Sequence, residues 1–101
     1  MNPEPDETVL VEKAANVRRK LEYAGGKVTV TNRRVLLVPH AINLDSRPAA
    51  VLISEITLVE PFAQFGIFPT GVRLTMRDGS QQHFICWGRQ QVIDAITQAK
   101  G

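Results

Sequence analysis

Gly25-Gly26-Lys27-Val28-Thr29-Val30-Thr31-Asn32-Arg33-Arg34-Val35-Leu36-Leu37-Val38 is the stretch whose reading decides the fold: two β-branched runs joined by a short polar tetrad. Val28 and Val30 alternate with Lys27, Thr29 and Thr31 at the two-residue period of a strand, which predicts one apolar and one polar face. Asn32 is the bend residue, because its short amide bonds nearby backbone and tolerates left-handed dihedrals better than most side chains. A β-hairpin is expected here.

Working towards the N-terminus, residues 8–17 are mostly short or β-branched. Val9, Val11, Ala15 and Val17 fall on one parity, predicting a first strand whose apolar face is interrupted at Lys13. A turn or two of helix over residues 13–20 is the competing reading, and propensity favours the strand. Residues 1–7 hold Pro3, Pro5 and three acids, Glu4, Asp6 and Glu7, without a basic start or an apolar run, so a secretory signal is not expected. Residues 1–6 read as a flexible tail, and residues 7–101 as one domain.

Working towards the C-terminus, residues 39–48 form a polar loop carrying Asn43, Asp45 and Ser46. Residues 50–54 and 56–60 are β-rich and separated by Glu55, which predicts a bulge or a tight corner. Pro61 is expected to end that pairing. Val72, Leu74 and Met76 then alternate with Arg73, Thr75 and Arg77, Asp78-Gly79 supplies a dipeptide favoured in tight hairpins, and residues 82–87 return. Finally the period changes: Val92, Ile93, Ile96 and Ala99 share one face of a helix, with Gln90, Asp94 and Gln98 opposite. About seven short antiparallel strands and one C-terminal amphipathic helix make a mainly β chain, a split barrel or pair of bent sheets plugged at one end by the helix.

A chain of 101 residues is one domain by size and buries roughly 65 % of its unfolded surface. With the single cysteine, Cys86, it can build neither an internal disulfide nor a thiolate metal site, and nothing calls for an oxidising compartment. No run approaches the roughly 20 apolar residues of a membrane-spanning helix. The expectation is a cytoplasmic protein, at most peripheral to the inner face of the membrane. A net charge of +2 is within ordinary scatter, so the distribution of charge matters more than its sum.

The order of these blocks carries a family resemblance over residues 7–96. Glu7 with Val9-Leu10 is followed by Gly26 to Arg34, by Val35-Leu36-Leu37, by Leu52-Ile53-Ser54-Glu55-Ile56, by the run from Val72 to Gly79, by His83-Phe84-Ile85 and by the helix. Block by block the chain resembles GRAM domains and bacterial pleckstrin-homology-like (PH-like) domains, in which a glycine-led strand enters a Thr-Asn-x-Arg turn. The resemblance implies a non-enzymatic adaptor module associated with membrane lipids or protein partners. PH domains that bind phosphoinositides carry a basic pattern astride the first hairpin; Arg18-Arg19-Lys20 lies near that place and does not match the pattern.

Three groups of residues are candidates for contact. Lys13, Arg18, Arg19, Lys20 and Lys27 put five cations in the first 27 residues, and at one open end of the barrel they would hold phosphate groups of an anionic lipid surface. Against this stands a solvated loop balanced by Glu12 and Glu22. Thr31, Asn32 and Arg34 are expected to form a structural turn, with the Arg34 stem along the sheet and its head on backbone carbonyls or an acid such as Glu55. Phe62, Phe65 and Phe68, with Ile67 and the flanking Pro61 and Pro69, concentrate the aromatics in an irregular connection that is either core or an exposed docking loop.

Catalytic chemistry has little to stand on. Cys86 and His83 are three positions apart on a strand and so face opposite sides. His40 and His83 lack partners at metal-ligand spacing, so no metal is expected. No phosphate-binding glycine loop, nucleophile elbow or carboxylate pair appears, and no cofactor or small-molecule substrate is implied. Aromatic and basic residues are segregated along the chain instead of interleaved, which argues against nucleic acid. The expected function is docking: basic side chains attract an anionic membrane surface while the 62–68 loop inserts. The alternative is a protein-interaction or homo-oligomerising module that uses the same loop or a sheet edge.

Overall fold

The computed structural model describes residues 3–19, 22–40, 48–64 and 66–101. Alternating valines, threonines and leucines form β1 (Val9–Arg19), β2 (Glu22–Thr31) and β3 (Arg34–Pro39). Ala49–Leu52 (β4) and a 3-10 turn at Ile53–Glu55 lead to β5 (Ile56–Gln64), β6 (Phe68–Met76), β7 (Gln81–Ile85) and helix α1 (Arg89–Lys100). The strands form one antiparallel sheet in the order β4-β3-β2-β1-β7-β6-β5. This mainly β fold, seven strands and a C-terminal helix, is the architecture that the periodicity predicts.

The sheet curls around a core in which Val17, Val28, Val30, Val35, Leu37, Val72, Leu74 and Phe84 are fully buried. Val92, Ala95 and Ile96 of α1 close one end of it. Lys100 Nζ donates to the Ile56 carbonyl, fastening the last turn of the helix to the start of β5. Gly26 allows β2 and β3 to come close: a Cβ there would lie 2.2 Å from the Val38 carbonyl oxygen. Only glycine fits that approach.

β1 continues through residues 13–19 as strand, the favoured reading, pairing from Lys13↔Val28 to Arg19↔Glu22. Three local expectations are corrected. First, Lys13 does not break the face of β1; it sits half-buried on the inner parity, its stem covering the barrel end near Gly88. The polar face of the hairpin is only partly in water: Lys27 on it is exposed. Thr29 and Thr31 are buried, their hydroxyls bound by the carboxylates of Glu12 and Glu7.

Second, Pro61 does not end the pairing. It lies within β5 opposite Val72. β5 is the outermost strand, and the alternation of an antiparallel ladder turns the Pro61 nitrogen away from β6, so no ladder bond is lost. Third, the expected irregular connection is replaced by a hairpin: β5 runs to Gln64, β6 begins at Phe68, and Gly66 between them lies at φ 77. Register shifts at Ile56/Leu58 and Phe62/Gln64 slip the parity, which hides the strand period from a count along the sequence. Of the expected 39–48 loop, Pro39 belongs to β3 and residues 41–47 lie outside the described residues.

Candidate functional site

The β2–β3 turn forms a closed polar corner. The Thr31 hydroxyl donates to Glu7 at 2.6 Å and accepts the backbone N–H groups of Arg33 and Arg34 at 3.0 and 2.9 Å. Arg34 Nε donates to Glu7 Oε2, the oxygen that also accepts from Thr31, at 3.1 Å, and the terminal nitrogen of Arg34 donates to Glu7 Oε1. The partner of Arg34 is thus Glu7; Glu55 lies beside Arg77 instead, at 3.7 Å. The Arg34 guanidinium, with help from the Glu4 N–H and Thr31, holds the Glu7 carboxyl at about 2. Asn32 ties the turn to the start of β1: its amide oxygen accepts from Thr8 N–H at 2.8 Å and its own N–H donates to the Thr8 carbonyl at 3.0 Å.

The described cations do not gather at one end. Lys27 pairs with Glu12 at 3.6 Å. Lys13 and Arg18 lie on opposite faces of β1, about 16 Å apart along the strand. Arg18 borders a shallow hollow with Gln81, Gln82 and His83. Burial, with the neighbouring positive charges of Arg18 and Arg73, pushes the His83 imidazole below its ordinary value. Lys20 and the Arg19 side chain lie outside the described residues.

The phenylalanine group divides as well. Phe62 is half-buried on the outer face, its ring over Gly71, edge-on to His83 at 5.8 Å and beneath the Arg73 guanidinium at 5.9 Å. Ile67 and Phe68 are exposed at the tip of the hairpin. Phe65 lies outside the described residues. Arg89, at the start of α1, donates to the carbonyls of Phe62 and Gly71 and so clamps the hairpin to the helix.

An open hollow lies where β1 and β7 part. Among the described residues they pair only at Asn16↔Ile85 and Val17↔Phe84. Beyond that point β1 stays with β2 while β7 turns off through Trp87 and Gly88 into α1, leaving an open cleft of about 400 Å³. One wall is Ala14, Ala15 and Asn16 with Gly25, Gly26 and His40; the other is Phe68, Thr70, Ile85 and Trp87. Trp87, the single tryptophan, is 70 % exposed. Thr70 is 1 % exposed, and its hydroxyl has no hydrogen-bond partner among the described residues. None of the lining residues is acidic.

The ladder also fixes which backbone groups face this opening. His40 N–H donates to the Gly25 carbonyl, so Gly25 faces β3, Gly26 faces β1, and Ala15 faces β2. Cys86 N–H donates to the Thr70 carbonyl, so Cys86 faces β6 and Ile85 faces β1, in agreement. Ala14 therefore directs its N–H and C=O across the cleft, where no strand pairs with it among the described residues. Cys86 is buried, and burial pushes its thiol up; it faces the core while His83 faces outward. Among the described residues no three His, Cys, Asp or Glu side chains come together.

His40, Asn16 and Thr70 carry no motif in the sequence that marks them as parts of one site. The one available signal is that Cys86 and Trp87 are chain neighbours just after β7, so that burial of the first turns the second, the tryptophan, outward.

No protein-family model and no curated protein sequence matches the chain. Solved structures do. The C-terminal domain of an unknown protein from Leishmania infantum superposes with a TM-score of 0.79 at 13 % identity, over 93 % of this chain and 84 % of that one. The Vps36 N-terminal PH domain superposes with a TM-score of 0.72 at 11 % identity, over 98 % of this chain and 83 % of that one. The fold is PH-like. No helix among the described residues is long and apolar enough to cross a membrane.

Proposed function

We propose that this chain is a non-enzymatic recognition module of the GRAM type, and that it docks a protein partner on the cleft between β1 and β7. The observation that carries this reading is the exposure of Trp87 and Phe68 on the rim of an opening whose floor holds an unbonded threonine hydroxyl. Large aromatic side chains left in water beside a desolvated polar group are what a partner would cover. Ile67, 72 % exposed and next to Phe68, extends the same apolar surface.

The anionic-membrane version has less support, because Lys27 is paired with Glu12 and Lys13 and Arg18 face opposite ways. Trp87 fluorescence separates the two. Vesicles of phosphatidylserine and phosphatidylcholine at low salt should leave the emission unchanged, while peptides retained from a random display library should shift it to the blue. Salt-reversible binding to the vesicles together with no retained peptide would replace the protein reading with the membrane one. Light scattering should give a monomer; a dimer abolished by Trp87→Glu would make a second copy of the chain the occupant.

A further inference from the structure

We infer that the partner is an extended segment that adds to the sheet as a short strand in the cleft, hydrogen-bonding to the Ala14 backbone and carrying an acidic residue towards Lys13. The inference rests on the docking function proposed above and names its chemistry. Ala14 is exposed, and its N–H and C=O point into the opening as a free pair, the arrangement that accepts one residue of an incoming strand. Exposed edges of this kind are normally covered or charged in proteins that remain single. Here small residues, Ala14, Ala15, Gly25 and Gly26, line that wall and leave the backbone accessible.

Two further features define the incoming side chains. Alternate residues of an added strand point to opposite faces. One set would lie against Phe68, Trp87 and His40, and the other would approach the buried Thr70 hydroxyl. Lys13 lies beside this end of the cleft. It is half-buried with its ammonium beside Gly88 and has no acidic partner among the described residues, and α1 starts at Gly88 with no side-chain cap and no acid in its first turn. A carboxylate on the segment would meet the ammonium and the free N–H groups of the helix start together.

The test uses the full chain and a random dodecamer library displayed on phage, with retained peptides synthesised and titrated through Trp87 fluorescence. They should alternate apolar residues and include an acid. N-methylation of peptide nitrogens should weaken binding about tenfold or more at alternate positions and little at those between, as expected when one face of the backbone is bonded. Ala14→Pro should lose about tenfold while keeping its unfolding midpoint, since the nitrogen it blocks pairs with no strand among the described residues. Lys13→Gln should weaken binding about threefold to tenfold and flatten its salt dependence.

Retained peptides whose N-methyl scan shows no period of two, and whose affinity changes by less than about twofold in Ala14→Pro, would overturn strand addition and leave the docking function standing. A library that yields no binder would overturn both. Should Ala14→Pro fail to fold, the N-methyl scan on the unaltered chain decides alone.

Discussion

Thr31 and Thr70 are the same residue, equally buried at 0 % and 1 % exposure, and they sit in opposite circumstances. At the β2–β3 corner the Thr31 hydroxyl bonds the Glu7 carboxylate and the backbone of Arg33 and Arg34, and its neighbours Glu7, Asn32 and Arg34 are bonded to one another or to Thr8 just before β1. Beside the β1–β7 cleft the Thr70 hydroxyl has no hydrogen-bond partner among the described residues. The hydrogen-bonding groups of Thr31, Glu7 and Arg34 are taken up within the corner itself. The cleft holds an unbonded hydroxyl, a free strand edge and an uncovered tryptophan, so whatever binds there gains what the fold leaves unused.

The same substitution made at both places should therefore act with opposite sign. Thr31→Val leaves the Glu7 carboxylate and two backbone N–H groups short of a partner and should lower stability by about 2–3 kcal/mol in urea unfolding. A loss below about 0.5 kcal/mol would mean that the corner is not closed as described.

The next effect belongs to the same corner and appears in acid. Glu7 is held at about 2 against an ordinary 4.5, chiefly by the hydrogen bonds from Arg34. A carboxyl lowered in the folded state stabilises fully above its unfolded value and loses that contribution as pH falls towards the folded one. Melting temperature should thus decline between pH 4.5 and about 2, with Asp78, lowered by Ser80, adding in the same direction. In Arg34→Gln the decline should be shallower. An unchanged slope would remove Glu7 from the account.

At the cleft, Thr70→Val replaces an unbonded hydroxyl by a methyl of the same shape and should leave stability unchanged or raise it by up to about 1 kcal/mol. A clear loss in urea unfolding would mean that Thr70 is bonded after all, and the contrast between the two threonines would fall. Trp87→Ser should change stability least, within about 0.5 kcal/mol, because its side chain is mostly in water. The same variant should abolish peptide capture. Full capture by Trp87→Ser would take the tryptophan out of the docking surface.

The legible parts of this protein were those whose cause is local. Val28 and Val30, Val35 and Leu37 alternate across a turn, and they lie buried in the predicted hairpin. Val92 and Ile96 share a helix face and are buried, with Gln90 and Asp94 outside. Asp78-Gly79 turns the chain between β6 and β7, with Gly79 at φ 87. Pro61 and the phenylalanines misled because their meaning depends on the position of β5 in the sheet and on two bulges, and neither leaves a mark in the periodicity. The expected partners of Arg34 were backbone carbonyls or an acid such as Glu55; folding instead brings Glu7, 27 positions away, to its guanidinium.

By itself the sequence determined the strand and helix content, the hairpins and the faces that seek a core, since these follow from the side-chain period and from the turn residues beside it. Tertiary structure alone decided that β1 belongs to two neighbours, stays with β2 and parts from β7 after two pairs. The cleft arises from that divergence: a backbone edge is free or bonded according to what lies across from it, and no residue encodes its own neighbour.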